Sequence, residues 1–509
     1  MQRALSSPLV GDEITQVGRR DRLILFAIWL VLAGWLWSTH VMWRDEVRAF
    51  SFALSGSNYA EMLRNVHGEG HPALWYLILR GAHDLFPVRE VLPIAGLVFG
   101  VAAMAVFAFL SPFRLLIIAL VLFSGYGAFE FVAISRNYGI AALVMFVLAA
   151  LYGRVRNSLW FGLILALLAN TNVPSCIFAG AFLMFRFVEM LTGASTPTKR
   201  DWLIFAGNAV IAALGALLCF VTVYPTINDA AVSSNANHLN VATIAAALVD
   251  SDKGFSHLIF PPAVLALTCL AFVRRPAALA AAVSVLVALK LFFFFIYPSF
   301  YRHEMLYVAF LLSLFWMTAK GAGGTWREMK WMNPVQIIGS WSFVALLAAQ
   351  AVALGIPVRE QLSGLPYSHS ADVAKLLQRP ELSGAIVMAD PDTMLEPLPY
   401  YVNNPLWLLR RQRFGNIMLL TRDARQKLTL DDVLADAERL HRQTGRPIVF
   451  LCHLPIPHDN KDHFYAMFGY ETDLKRDSVK RFLASTRHIA TLRGLHMGDE
   501  IYDVFVYPR

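Results

Sequence analysis

Charge is scarce in this chain of 509 residues. Only 16% of it is Asp, Glu, Lys or Arg, where a soluble globular protein carries roughly 25%. With 57% hydrophobic residues beside so little charge, intrinsic disorder, collagen and small disulfide scaffolds are excluded, and a membrane protein is expected. Cysteine is scarce as well. Cys176, Cys219 and Cys269 fall in apolar runs and Cys452 in the polar tail, so neither a disulfide framework nor metal-ligand spacing is present. The tail lacks a glycine-rich phosphate loop, a nucleophile elbow and internal repeats. No small-residue cleavage site follows the first apolar run, which is therefore expected to stay as a signal anchor. The formal charge of +8 belongs to the apolar two-thirds, because acids and bases nearly balance over residues 357–509. Loop Lys and Arg there set membrane orientation, and no nucleic-acid partner is expected.

What is abundant is the apolar run. Stretches of about 20 apolar residues, the length of a bilayer-crossing helix, recur near 23–40, 90–110, 114–133, 138–152, 158–172, 173–190, 202–224, 257–273, 277–297, 304–319 and 335–355. They predict a polytopic α-helical membrane protein with about eleven transmembrane helices. With the N-terminus in the cytoplasm, Arg19, Arg20 and Arg22, Arg114, Arg154 and Arg156, Arg186, Lys199 and Arg200, Arg274 and Arg275, and Lys320, Arg327 and Lys330 all fall inside. The positive-inside rule asks for that alternation. Residues 41–89, the turns near 134–138 and 298–303, the loop 225–256 and everything from 356 onward then face outward.

In the loop 41–89, apolar residues at Val47, Phe50 and Leu54, and again at Tyr59, Met62, Leu63 and Val66, are spaced for two short surface helices broken by Ser55, Gly56 and Ser57. The tail 356–509 reads differently. GAIVMADPD, PIVFLCHL, HIATLR and IYDVFVYPR are strand-like, and LTLDDVLADAERLHRQTGR is an amphipathic helix with a glycine stop. A periplasmic C-terminal α/β domain is expected after a membrane domain of residues 1–355.

Ionisable residues beside spans are costly to keep there and mark candidate chemistry. Asp45 and Glu46 follow the first span, where they are placed either to cap a surface helix or to act as a base on a membrane-bound substrate. Glu69, His71 and Arg80 surround the start of an aromatic-rich helix, GEGHPALWYLILR. Glu130 sits at the outer end of the third span, and Arg136 and Tyr138 fall in the short turn ISRNYG. Arg302 and His303 open the tenth span after the aromatic run FFFFFIYPSFY, with Lys290 inside the ninth. Together Lys290, Arg302 and His303 carry the charge needed to neutralise a phosphate at the membrane surface.

Read in order, these clusters resemble the polyprenyl-phosphate-dependent glycosyltransferases of the GT-C superfamily, in particular the bacterial relatives of protein O-mannosyltransferases and of the lipid A aminoarabinose transferase. The likeness spans residues 1–355. An acidic pair opens the first outer loop, matched by Asp45 and Glu46. An HPPLYY-type segment follows, matched by His71, Pro72, Leu74, Trp75 and Tyr76. ISRNYGIAAL keeps Arg136 and Tyr138 of an SQEARxYAL-type turn, with Ser135 in place of alanine and Glu130 standing in for the missing acid. RHEMLY is similar to an RYxxPxxP-type segment without its prolines.

The resemblance implies inverting transfer of a sugar from a polyprenyl-phosphate donor to a hydroxyl on the outer face of a bacterial inner membrane. The acceptor would be an envelope glycan, a lipid or a protein. Asp45 would be the general base with Glu46 beside it, and Arg302, His303, Lys290 and Arg136 would hold the donor phosphate. Glu69, His71, Arg80, Glu130 and Tyr138 would contact substrate, and a divalent cation is a candidate cofactor with Glu69, His71 and Glu130 as ligands. The competing classes are a polytopic lipid or glycan transporter or flippase, and a scaffold that displays the outer domain. The broken, repeated helices expected of a transporter are not evident.

Overall fold

The computed structural model describes residues 9, 16–193, 195–226, 228–229, 240–249, 255, 257, 262–324, 326, 329–457, 459, 461–467, 469–494 and 500–509. Each apolar stretch folds into helix, because side chains that cannot face water leave the backbone to satisfy its own hydrogen bonds. In chain order the helices are α1 (Gln16–Thr39), α2 (Arg44–Ala53), α3 (Tyr59–Val66), α4 (Leu74–Leu85), α5 (Val91–Leu110), α6 (Leu115–Leu122), α7 (Tyr138–Val155), α8 (Trp160–Ala169), α9 (Ser175–Thr192), α10 (Lys199–Val223), α11 (Val241–Val249), α12 (Pro262–Cys269), α13 (Pro276–Phe295), α14 (Tyr301–Ala319), α15 (Met332–Ala353) and α16 (Gly355–Leu362). Among the described residues, seven are long and apolar enough to cross a membrane by length and composition: α1, α5, α7, α9, α10, α13, and α15 running on into α16.

The other four expected spans take different forms. The stretch 114–133 yields only the eight residues of α6, followed by a π-helical turn, Tyr126–Glu130. The stretch 158–172 yields α8, of ten residues. In 257–273, α12 tightens into a 3-10 turn, Leu270–Phe272, and residues 258–261 lie outside the described residues, as does Arg327 of the expected inner loop. The fourth, α14, is buried on all sides from His303 to Met317. A helix that is apolar all round belongs inside a bundle, and α14 brings its polar first turn, Arg302, His303 and Glu304, in with it.

Close approach needs small residues. On α5, a methyl group at Gly100 would stand 2.1 Å from the carbonyl oxygen of Phe131, so the turn after α6 rests directly on the α5 backbone. Beyond the bundle comes α17 (Ser370–Leu377), then strands β1 (Ile386–Asp390), β2 (Leu406–Leu408), β3 (Arg413–Phe414) and β4 (Lys427–Thr429), helix α18 (Leu430–Thr444), strands β5 (Ile448–Cys452), β6 (His463–Met467) and β7 (Tyr470–Leu474), helix α19 (Arg476–Ser485), and strands β8 (Arg487–Leu492) and β9 (Tyr502–Tyr507).

The six-stranded sheet runs β3-β2-β1-β5-β9-β8. Strand β1 pairs in parallel with both β2 and β5, and β9 lies antiparallel to both β5 and β8. Every residue of β1 and β5 is buried, as expected where helices cover both faces. Val373 and Leu377 of α17 pack on one face, and Leu440 of α18 and Phe482 of α19 on the other. The amphipathic helix and four strands read from sequence all form, and Gly445 ends α18 in the left-handed conformation.

The tail is fastened to the segment after α1. Ser370 Oγ and Tyr401 Oη both donate to the Met42 carbonyl, each at 2.9 Å. The Arg44 amide donates to Glu500 Oε1 at 2.7 Å, and Arg89 donates to the Tyr400 carbonyl at 3.0 Å. The α/β domain thus sits on the bundle end that carries α2.

Gly100→Ala should lower the thermal stability of the detergent-solubilised protein by about 2 kcal/mol, because the Phe131 backbone cannot yield. Gly153→Ala on α7, which meets nothing within 4 Å, should be neutral or stabilising by about 0.5–1 kcal/mol. Thermal unfolding of the two variants beside the parent checks both.

Candidate active site

The N-terminus of α2 is set by Glu46. Its Oε2 accepts from the Trp43 amide at 3.2 Å and meets His40 Nε2 at 2.8 Å, while Oε1 accepts from the Ser135 amide at 2.5 Å. Glu46 is fully buried, so both oxygens are spent on holding the end of α1, the start of α2 and the turn before α7. The sequence paired Glu46 with Asp45 as catalytic. The structure places Glu46 as a cap and clasp, since a buried carboxylate needs its lone pairs filled.

Asp45 points the other way, 23% exposed. Arg302 Nη2 lies 3.2 Å and Arg136 Nη1 3.5 Å from Asp45 Oδ2, and Arg44 Nε lies 3.5 Å from Oδ1. Arg136 also donates to the Asp45 carbonyl at 2.6 Å. Burial works to raise the Asp45 pKa, but Arg136, Arg302 and Arg44 outweigh it and hold the carboxyl well below the usual carboxylate range. Arg302 packs near the rings of Trp43 and Phe300, 5.5 and 5.0 Å from their centroids, and its buried Nε has no hydrogen-bond partner among the described residues.

A small pocket opens beside this cluster, lined by Asp45, Ala49, Glu69, His71, Trp75, Tyr76, Arg136 and Asn137. The HPPLYY-like segment therefore meets the acidic residue across the pocket. Arg136 Nη2 donates to His71 Nε2 at 2.9 Å, which leaves Nε2 as the acceptor and the proton on Nδ1. Burial, reinforced by Arg136, pushes the His71 pKa down to about 3.

Glu69 is held by Arg48, whose Nε and Nη2 donate to its two oxygens at 2.6 Å each. Tyr138 and His303 meet at 2.9 Å. Because the Phe300 amide donates to His303 Nδ1 at 3.1 Å, a neutral His303 donates from Nε2 to Tyr138, leaving the tyrosine proton free for another acceptor. Glu130 is 6% exposed in the π-helical turn, among Arg302 and His40.

Two sequence expectations are not met. Lys290 Nζ donates to the Leu248 carbonyl at 2.7 Å, toward α11 instead of Arg302. Arg80 donates to the carbonyls of Ala53 and Ser55 at 3.2 Å, where a cation suits the C-terminus of α2 and the pocket lies elsewhere. The cation ligands do not gather either: among the described residues no group of three or more His, Cys, Asp and Glu side chains is close enough to hold a metal, and Arg48 occupies Glu69.

Sequence reading missed Arg44, Arg48, Asn137 and Glu396. Arg48 follows Asp45 by one helical turn and was findable on spacing. Glu396 belongs to the tail and reaches Arg48 only through the tertiary fold.

Acidification should expose His71. Its folded pKa of about 3 lies below the ordinary 6.5, so between these values the unfolded chain binds a proton that the folded one does not. Stability contributed by the neutral ring is then complete above pH 6.5 and is lost as pH falls. Between pH 6.5 and 4.5 the parent should lose about 2 kcal/mol more than His71→Gln, read from melting temperatures across that range.

No family model matches the chain, and no curated protein does. Among solved structures, the chain is similar to ArnT from Cupriavidus metallidurans bound to undecaprenyl phosphate, at 13% identity and a TM-score of 0.49, covering 95% of this chain and 97% of that one. It is also similar to the apo state of the same protein, at 12% identity and a TM-score of 0.45 over the same shares.

Proposed function

We propose that the protein is a membrane glycosyltransferase that moves a sugar from a polyprenyl-phosphate donor to an acceptor hydroxyl, with inversion, on the outer face of a bacterial inner membrane. One observation carries this reading: a single carboxylate, Asp45, is held between guanidiniums from two distant segments, Arg136 at 3.5 Å and Arg302 at 3.2 Å, at the edge of a polar pocket. Around one base there is cationic charge to spare for an anion. Arg302 can also offer a phosphate two parallel N–H groups.

The chemistry follows from that balance. With no anion bound, the arginines suppress the basicity of Asp45. A donor phosphate that draws Arg302 and Arg136 toward itself restores that basicity, so the base is strengthened in the complex that needs it. Asp45 then takes the proton of an acceptor hydroxyl as the oxygen attacks the anomeric carbon from the face opposite the phosphate, and the C–O bond to phosphate breaks with its electron pair. Charge growing on the leaving phosphate is met by Arg302, by Arg136 and by the free proton of Tyr138. The polyprenyl chain has an apolar exit beside Arg302, where Ile296, Tyr297 and Phe300 are exposed. The acceptor hydroxyl belongs to an envelope glycan, a lipid or a protein, and the bilayer itself is a partner through the apolar helices.

Asp45→Asn keeps size and hydrogen bonding but removes basicity, so transfer from a polyprenyl-phosphate sugar should fall at least about 10²-fold while the protein still purifies folded. Near-parental turnover would end the proposal. Sidedness is tested separately. A reporter fused after Arg509 should be active in the periplasm, following the alternation of basic loops, and cytoplasmic activity would reverse the assigned face.

A further inference from the structure

Arg48 is shared by two carboxylates from different parts of the chain. Its Nε and Nη2 bind Glu69 at 2.6 Å each, and its Nη1 binds both the Met418 carbonyl, at 2.6 Å, and Glu396. Glu396 lies in the tail after β1, is 2% exposed, and accepts at 3.2 Å from the Met418 amide. One turn before Arg48 on α2 stands Asp45, and Glu69 lines the same pocket as Asp45. A guanidinium swung from Glu396 and Glu69 toward that pocket would add a further positive charge beside a base that three arginines already weaken.

We propose that Glu396 is a positioning residue: by binding the far side of the Arg48 guanidinium, it keeps Arg48 and Glu69 at the pocket wall and away from Asp45. The proposal rests on Asp45 acting as the base in sugar transfer. It assigns the α/β domain a part in the chemistry, by way of one carboxylate that spans from the tail to the catalytic loop.

The charge of Glu396 can be separated from its shape. Burial pushes its pKa up to about 7, against Arg48 and Arg44 of α2 and with the help of Glu69. Since the folded value lies above the ordinary 4.5, stability is greatest with the group protonated and declines as pH rises through about 7. An ionised Glu396 therefore costs stability while it binds Arg48 best. Replacing it with a neutral isostere separates the two roles.

The experiment compares the parent with Glu396→Gln, Glu396→Ala and, as a control, the exposed Glu381→Gln, all full length in detergent with a polyprenyl-phosphate sugar donor. At pH 8 both Glu396 variants should lose about tenfold or more in kcat, with donor KM within about twofold, and Glu396→Gln should melt no lower than the parent. The parental rate should also fall as pH drops below about 7, a limb that Glu396→Gln lacks. Parental kcat in Glu396→Ala, or an unchanged acid limb in Glu396→Gln, overturns the proposal. An arm that needs no activity is a double-mutant cycle of Glu69→Gln and Glu396→Gln read by melting temperature. Coupled, non-additive shifts are expected because both side chains act on Arg48, and additive shifts overturn the proposal. Failure of the parent itself to transfer would count against the glycosyltransferase reading, leaving the cycle to decide whether Glu396 holds Glu69.

Discussion

A buried carboxylate, Glu46, ties together three pieces of chain that are far apart in sequence. It takes the Trp43 amide, the Ser135 amide at 2.5 Å and the His40 ring, and so fixes the end of α1, the first turn of α2 and the turn before α7 in one place. Each contact fills an otherwise unmet hydrogen-bonding group in an interior where leaving one unmet costs about 1–3 kcal/mol. With Glu46 locked inward, the adjacent Asp45 must project outward. Ser135 is likewise followed by Arg136, which is thereby delivered to Asp45. The candidate base and one of its cations are placed by the residues next to them.

The second cation comes by another route. Arg302 is carried in on α14, whose burial from His303 to Met317 leaves its polar first turn pressed against α2. Arg136 and Arg302 bring two positive charges to the one carboxylate of Asp45, and such a cluster in a partly dry site is a standing attraction for an anion. Tyr138 and His303 add a neutral hydrogen-bonded pair at the same place, and the aromatic faces of Trp43 and Phe300 hold the Arg302 guanidinium flat. The result is a site organised for negative charge at the edge of an apolar bundle, which suits a ligand that is phosphate at one end and hydrocarbon at the other.

The tail contributes through its docking as well as through its sheet. Ser370, Tyr401 and Glu500 grip the few residues between α1 and α2, so α2 is braced from above by the α/β domain and from below by Glu46. A short amphipathic helix of ten residues has little stability alone. Its fixed orientation, and hence that of Asp45, is borrowed from the two bodies on either side.

Sequence alone determined what depends on local pattern. Apolar runs dictated a helical bundle because a backbone without water must bond to itself, the broken periodicity at Ser55–Ser57 separated α2 from α3, and short continuous apolar runs around Val387 and Val449 specified the buried strands. Asp45, His71, Arg136 and Arg302 were also legible, since a charge kept beside apolar spans stands out. Tertiary structure decided whatever depends on direction. Glu46 and Asp45 are neighbours in sequence, but one helical step, about 100° of rotation, turns them to different sides. Lys290 and Arg80 looked like members of the site until the packing aimed them at the Leu248 carbonyl and at the end of α2. Glu396 lies more than 300 residues from Arg48, and no spacing rule connects them, because ion pairs between distant segments are set by how the domains pack and not by the order of the chain.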